Sequence, residues 1–226
     1  MKQIFGKLLT ILGFKRKKPT TKLGRIARCC EHALTVAVFL YILVLVFPHP
    51  LFAHTHEHAE ITLYSREPIP AKEADALLSQ IRSRISGSEI YQKEQTFRIF
   101  LCNSQSLYTL FSPVARHSFG HTPISGNIML AHVDLISGTA TAFRSDHNER
   151  SFVGVASHEI CHVMIRRAFG LWSAYRAPTW LNEGYCEFIS GESSFPEEKG
   201  DNLLSQGKQA EDQSYKYFVY RRIVDF

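Results

Sequence analysis

Two stretches of sequence decide the fold: SHEICHVMIRRAFG, residues 157–170, and WLNEGYCEF, residues 180–188. The apolar residues in and just before the first stretch recur at helical spacing, and Gly170 can end that helix. Pro178 can open a second helix, because the first turn has no use for the N–H that proline lacks, and Gly191 can close it. The sequence therefore predicts two consecutive helices.

Residues 158–162, HEICH, fit a metal site on the first of these helices. Four residues turn an α-helix through about 400°, so His158 and His162 lie on one face and can bind one ion. Glu159 is displaced by about 100° and lies beside the ion. Two neutral imidazoles and a carboxylate on zinc leave a fourth position for water, whose proton Glu159 can take. We expect one Zn²⁺ per chain.

Glu183 offers the carboxylate, 21 residues after the second histidine of HEICH. With it, the sequence resembles the gluzincin branch of the HExxH zinc metallopeptidases, and the minigluzincins in particular, in which a Glu from the next helix completes the metal site. The signature of a Trp, an apolar residue and then xEGxxE is matched over residues 180–187, and the resemblance is clear from residue 151 onward. It implies hydrolysis of a peptide or protein substrate. The residues that it implies as metal ligands and general base are His158, His162, Glu183 and Glu159.

The resemblance also implies roles for Glu187 and for a tyrosine of the last helix. Glu187, one turn after Glu183, would hold a histidine ring N–H, although a solvated helix face is the alternative. QSYKYFVY resembles the family's Ser-Tyr helix, so Tyr215 is the candidate for stabilising the oxyanion, with Tyr217 and Tyr220 behind it. Tyrosines at this spacing also serve as packing residues. Because this helix runs to the last residue, we expect a truncated or unusually short domain.

The elements before residue 151 predict an α+β domain over residues 54–226, with a small mixed sheet. A helix is expected between Lys72 and Ser86, followed by the alternating strand TFRIFLC and the short helix SQSLYTLF. Two more strands, NIMLAHVD and GTATAFRS, follow, and we expect one of them to present its edge to an extended peptide. By resemblance, this is a zincin-like domain in which the HExxH helix and the Glu-bearing helix pack beneath a substrate cleft.

Basic residues are concentrated in a tail, residues 1–32, before an uncharged apolar run. Nine of the 26 Lys and Arg residues lie in this tail, whereas the rest of the chain holds 17 basic and 20 acidic residues, so the charge does not indicate nucleic-acid binding. The run over residues 33–53 has roughly the length that crosses a bilayer. The basic flank predicts a cytoplasmic N-terminus and an extracytoplasmic domain. A signal peptide cleaved after Ala53 is the alternative, and it would make the domain secreted.

Other histidines and the cysteines carry weaker signals. The segment HTHEH, with His54, His56 and His58, is expected to be a solvated linker, with a zinc or copper site as the alternative. Three cysteines follow the apolar run and cannot all pair within one chain, so we expect them to be buried packing residues: Cys102, Cys161 and Cys186. Histidines without metal spacing are expected in loops or on the surface: His117, His121, His132 and His147.

Two other classes of function compete with a peptidase. One is a zinc-binding membrane protein that does not hydrolyse peptides, either a pseudoprotease or an interaction domain in which the metal only stabilises the fold. The other is a membrane-tethered metal sensor that uses HTHEH, whose response would survive loss of Glu183.

Overall fold

The structure is a computed structural model that describes residues 20–143, 149–193 and 195–225. The chain is mixed α+β, which confirms the predicted fold class in outline. It divides into two compact units, one up to Pro48 and the other from His49 onward. The first nineteen residues of the basic tail, and His147, lie outside the described residues.

The described part of the first unit holds one long helix, α1 (Lys22–Val46), which begins where the Thr21 side chain accepts a hydrogen bond from the Gly24 N–H. At 1.5 Å per residue its 25 residues span about 38 Å, and it is the one helix in the described ranges that is long and apolar enough to cross a membrane. The rest of the predicted segment, up to Ala53, is not part of this helix. It continues as a short 3₁₀ turn, His49–Leu51, in the second unit.

The second unit is built on a five-stranded mixed sheet with strand order β1-β2-β3-β5-β4. The pairs β2–β3 and β3–β5 are parallel, whereas β1 and β4 run antiparallel to their neighbours at the two edges. The strands are β1 (His54–His58), β2 (Ile61–Ser65), β3 (Phe97–Leu101), β4 (Gly120–His121) and β5 (Asn127–Leu130).

Strand alternation puts apolar residues on the sheet face that is covered by helices. Phe97, Ile99 and Leu101 of β3 lie in the main core, as their spacing predicts, and alternate residues such as Phe100 face the other side. Phe100 stacks on Tyr64 with ring centroids 4.6 Å apart and contacts Phe52. Both faces of the sheet are therefore packed.

Seven α-helices lie in the part of the second unit that the structure describes. Helices α2 and α4 contribute much of the main core and contact each other, and α6 lies between α4 and α8. They are α2 (Ala71–Ser86), α3 (Gln105–Phe111), α4 (Phe152–Phe169), α5 (Leu171–Arg176), α6 (Thr179–Ser190), α7 (Glu197–Ser205) and α8 (Gln213–Val224).

Neither NIMLAHVD nor GTATAFRS supplies an edge strand of the larger, mixed sheet, which corrects that expectation; the last residues of NIMLAHVD form an edge strand only in a second sheet. NIMLAHVD divides at Ala131 into β5 and β6 (His132–Asp134), and β5 lies between β3 and β4. GTATAFRS forms β7 (Thr139–Thr141), the central strand of a second, antiparallel sheet between β6 and β8 (Glu149–Ser151). The edge of the larger sheet after β5 is formed by β4, which contains His121, a residue that the sequence predicts in a loop or on the surface.

The contact between α6 and α8 depends on a glycine. A Cβ at Gly184 would lie 2.5 Å from the Tyr220 carbonyl oxygen of α8, which is closer than non-bonded atoms approach. Because Gly184 directly follows Glu183, the close approach of α8 also fixes α6 at the residue that carries the candidate ligand.

Candidate metal centre

Helix α4 presents the two histidines of HEICH from inside the protein. Ser151 caps the helix by accepting a hydrogen bond from the Gly154 N–H, and most of the residues that follow are buried. His158 and His162 lie one turn apart with ring centroids 4.9 Å apart. The two histidines therefore share one side of the helix, as their spacing predicts, and this side is directed toward α6.

Helix α6 brings two carboxylates to the His158 ring. Glu183 Oε2 lies 3.4 Å from His158 Nε2, and Glu183 Oε1 lies 3.8 Å from His162 Nε2. Glu187, which is completely buried, lies on the other side of the His158 ring, with its Oε1 3.2 Å from His158 Nδ1. Glu183 thus faces the Nε2 atoms of both histidines, and Glu187 faces the Nδ1 atom of His158.

Cys186 contacts the imidazole of His162. Its Sγ lies 3.3 Å from His162 Nδ1, and the residue is completely buried. His158, His162 and Cys186 form a group whose candidate ligand atoms all lie within 4.8 Å of one another, so the group could hold a metal ion. Two three-ligand sets therefore share the histidines, one with Cys186 and one with Glu183.

The electrostatics of the site also suit a cation. Burial alone would lower the pKa of His158, but contacts with Glu183 and Glu187 outweigh it and raise that pKa to about 10. Burial and the charge of His158 lower the pKa of His162 to about 4. Glu187 has a nearby cation in Arg150, 3.5 Å away, yet Glu187 Oε2 is buried without a hydrogen-bond partner. A donor set of imidazoles and carboxylates with unsatisfied negative charge fits a divalent transition metal.

Glu159 is 8% exposed and is held apart from the metal group. Thr122 Oγ1 donates a hydrogen bond of 2.6 Å to Glu159 Oε2. A Cβ at Gly120 would lie 2.8 Å from Glu159 Cγ and 2.9 Å from Glu159 Oε1, so a side chain at this position would displace the carboxylate. Burial raises the pKa of Glu159, which the neighbouring His158 and the Thr122 hydroxyl partly offset.

A cavity of about 880 Å³ opens onto these groups. One wall of the cavity is apolar and is formed by helix α5 and by a loop earlier in the chain. On α5, the side chains of Trp172 and Tyr175 are 74% and 83% exposed. The residues of the metal group and its surroundings that line the cavity are His158, Glu159, His162, Glu183 and Glu187.

The structure does not bring Tyr215 to the cavity. Its side chain is buried against Phe195 and Phe218, and its hydroxyl donates a hydrogen bond of 3.0 Å to the Lys208 carbonyl. Two residues further along α8, on another face of the helix, Tyr217 lines the cavity. Burial and the nearby charge of Glu183 raise the pKa of Tyr217, so its phenol remains protonated.

Several residues of the site lie where the sequence predicts only a loop. His121 lines the cavity from strand β4 and is half-buried, which corrects the expectation of a loop or surface residue. Arg166, one turn after His162, donates hydrogen bonds to the Thr122 and Pro123 carbonyls at 3.1 and 2.8 Å. Arg166 thus links the loop that carries Thr122 to α4, the helix that carries the two histidines. The contact joins residues 43 and 44 positions apart, and no local pattern signals it.

The segment HTHEH is not a solvated linker, because it forms the edge strand β1. Its alternation places His56 and His58 on one face, where both contact the same Asp75 oxygen of α2, at 2.8 and 3.0 Å. Ser79 holds the other nitrogen of His58. Both imidazoles are thus engaged in fastening β1 to α2. The three cysteines expected to be buried are buried, and none forms a disulfide.

Comparison of the chain with protein-family models, with curated proteins and with solved structures finds no match.

We predict that the metal-stripped full-length protein gains thermal stability when a divalent transition metal is added. A ligand that binds only the native state at 100 times its Kd stabilises it by about 2.7 kcal/mol. His158→Ala should abolish this shift, because it removes a ligand. His132→Ala, a change at an exposed histidine outside the site, should preserve it. Differential scanning calorimetry measures the effect, and an equal shift in the His158→Ala protein would exclude this metal centre.

Proposed function

We propose that the protein is a membrane-anchored zinc peptidase, in which His158, His162 and Glu183 hold the metal and Glu159 is the general base. The observation that carries this proposal is the arrangement of two carboxylates around one cavity. Glu183 faces both Nε2 atoms, whereas Glu159 lies beside them on its own hydrogen bond to Thr122. One carboxylate can thus bind the ion while the other handles a proton.

Glu183 suits the third ligand position better than Cys186. Tetrahedral zinc with bonds of about 2.0–2.1 Å separates its ligand atoms by about 3.3 Å. The Glu183 oxygens lie 3.4 and 3.8 Å from the two Nε2 atoms, close to that separation. Cys186 instead contacts Nδ1 of His162, on the side of the ring away from the Nε2 atom that faces Glu183.

A zinc ion in this site would polarise a peptide carbonyl and acidify a water molecule. Glu159 would accept a proton from the attacking water and pass it to the departing amine nitrogen. Thr122 and Gly120 keep the carboxylate in position for both transfers. Glu187 fixes the orientation of His158 through Nδ1, and Arg150 balances the charge of Glu187.

Strand β4 and the apolar wall suggest how a substrate binds. Gly120 and His121 form an edge of the larger sheet and line the cavity, so an extended peptide can add to β4 as a further strand. Trp172 and Tyr175 offer a large apolar surface in the same cavity. These features favour an unstructured peptide with bulky apolar side chains as the substrate.

We predict that Glu159→Gln retains zinc and folds normally but loses about 10² to 10⁴ in hydrolysis rate, the usual contribution of a positioned general base. Glutamine keeps the size and hydrogen bonding of the side chain and removes the base. Glu94→Gln, the same change at an exposed position, is the matched control. The measurement is turnover of a peptide library, with zinc content checked on the same samples.

Equal activity of the Glu159→Gln protein and the wild type would contradict this role. Absence of zinc-dependent turnover in the wild type would favour a zinc-binding protein that does not hydrolyse peptides.

We predict that Tyr217→Phe lowers kcat about 10²-fold and leaves zinc binding unchanged. A phenol in the cavity can donate a hydrogen bond to the oxyanion, and loss of one such donor costs about this much. Tyr215→Phe is the control, because its hydroxyl bonds Lys208 within a packed cluster. Steady-state kinetics on one peptide compares the two variants. A large loss in Tyr215→Phe without one in Tyr217→Phe would reverse the assignment.

We also propose that α1 spans the membrane with its N-terminus in the cytoplasm and the peptidase domain on the extracytoplasmic side. The basic residues before the apolar part of α1, which include Lys22, Arg25 and Arg28, favour this orientation. Protease added outside intact expressing cells should then digest the domain and spare an N-terminal tag. Protection of the domain together with the tag would contradict this orientation, and release of a soluble domain starting at His54 would indicate a cleaved signal peptide.

A further inference from the structure

The two candidate histidine ligands differ in what holds their second nitrogen. His158 Nδ1 faces a carboxylate, Glu187, as metal-binding histidines commonly do. His162 Nδ1 faces a thiol, since Cys186 Sγ lies 3.3 Å away. Carboxylates, backbone carbonyls and water are the usual partners of a ligating histidine, so a thiol at this position is a specific feature of this chain.

The tautomer of His162 decides whether it can bind a metal through Nε2. A neutral imidazole carries one hydrogen, and Nε2 is free for the ion only when that hydrogen is on Nδ1. An N–H on Nδ1 at this depth needs an acceptor, because an unpaired buried donor costs about 1–3 kcal/mol. Cys186 Sγ is at the right place to accept it.

The surroundings of Cys186 favour the sulfur as acceptor. Cys186 and Cys161 are both completely buried, so water does not compete for the Cys186 sulfur. The Cys186 S–H can rotate away from His162, which leaves a sulfur lone pair to accept the ring N–H. If the S–H pointed at His162 instead, the ring would carry its hydrogen on Nε2 and could not bind the ion there.

We propose that Cys186 is a positioning residue, which accepts the hydrogen bond of the His162 Nδ1–H and so holds Nε2 toward Glu183. This inference rests on the proposed metal site, and it assigns Cys186 to the support of a ligand. Cys186 lies on the Nδ1 side of the ring and Glu183 on the Nε2 side, so one ion cannot bind His162 through Nε2 and also reach the sulfur at bonding distance.

Three variants of the full-length protein test the proposal. Cys186→Ala removes the acceptor, and Cys186→Ser replaces it with a hydroxyl oxygen. Cys102→Ala is the matched control, because it removes a thiol that is equally buried but outside the site. For each variant, zinc affinity is measured by competition with a chromophoric chelator, and folding by thermal unfolding. The absorption spectrum of the cobalt(II)-loaded protein reports on the geometry and the atoms of the metal shell.

We expect Cys186→Ala to lower zinc affinity about 10- to 100-fold, as loss of such a supporting contact usually does. Cys186→Ser should recover most of that loss, and Cys102→Ala should bind zinc like the wild type even if it unfolds at a lower temperature. The cobalt spectrum of the wild type should lack a sulfur-to-cobalt charge-transfer band, and its ligand-field bands should change in Cys186→Ala.

Wild-type zinc affinity in a folded Cys186→Ala protein would overturn the proposal and reduce Cys186 to a packing residue. A sulfur-to-cobalt charge-transfer band that disappears in Cys186→Ala would overturn it differently, by making Cys186 a ligand. Both results leave a metal site in place. Failure of the wild type to bind zinc or cobalt would instead remove the proposed function together with this inference.

Discussion

The contact of Glu183 with the Nε2 atoms of His158 and His162 is the interaction on which the site depends. It joins two helices, so the site exists only if α4 and α6 are held at the right depth and rotation. Buried charges are costly unless they are paired, and here carboxylates and imidazoles from the two helices pair with each other. The packing of α6 against α8 through Gly184 holds the other side of α6, immediately beside Glu183.

The larger sheet and the loop after its edge strand contribute the groups that surround Glu159. Its edge strand β4 brings Gly120 against the Glu159 carboxylate, and the next residues bring the Thr122 hydroxyl to the same group. Arg166 ties this loop back to α4 through two carbonyls. The proposed base, the candidate ligands and an edge that can pair with a peptide thus share one cavity, although they come from segments far apart in the sequence.

Local patterns predicted the parts of this architecture that local physics determines. The apolar period of α4 and the alternation of Phe97, Ile99 and Leu101 were sufficient for a helix and a strand with the correct buried faces. Long-range contacts decided the rest. HTHEH becomes a strand because β2 offers it an edge and Asp75 binds two of its histidines, and neither partner is visible in the segment itself.

The tyrosines of α8 show the same limit on a smaller scale. Residues two apart on a helix point in directions about 200° apart, so the choice between Tyr215 and Tyr217 depends on which face meets α6. The sequence predicts a helix with tyrosines, but not which side of that helix is directed toward α6. Cys186 was recognised as a buried residue, but its contact with His162 required the relative position of two helices.

X-ray absorption at the zinc edge of the full-length protein tests the central claim most directly, because it identifies the atoms bound to the metal. The expected shell contains nitrogen and oxygen only, at about 2.0–2.1 Å, with the outer-shell scattering of two imidazoles. A sulfur at about 2.3 Å would show that Cys186 rather than Glu183 completes the site, and it would contradict the gluzincin-like arrangement.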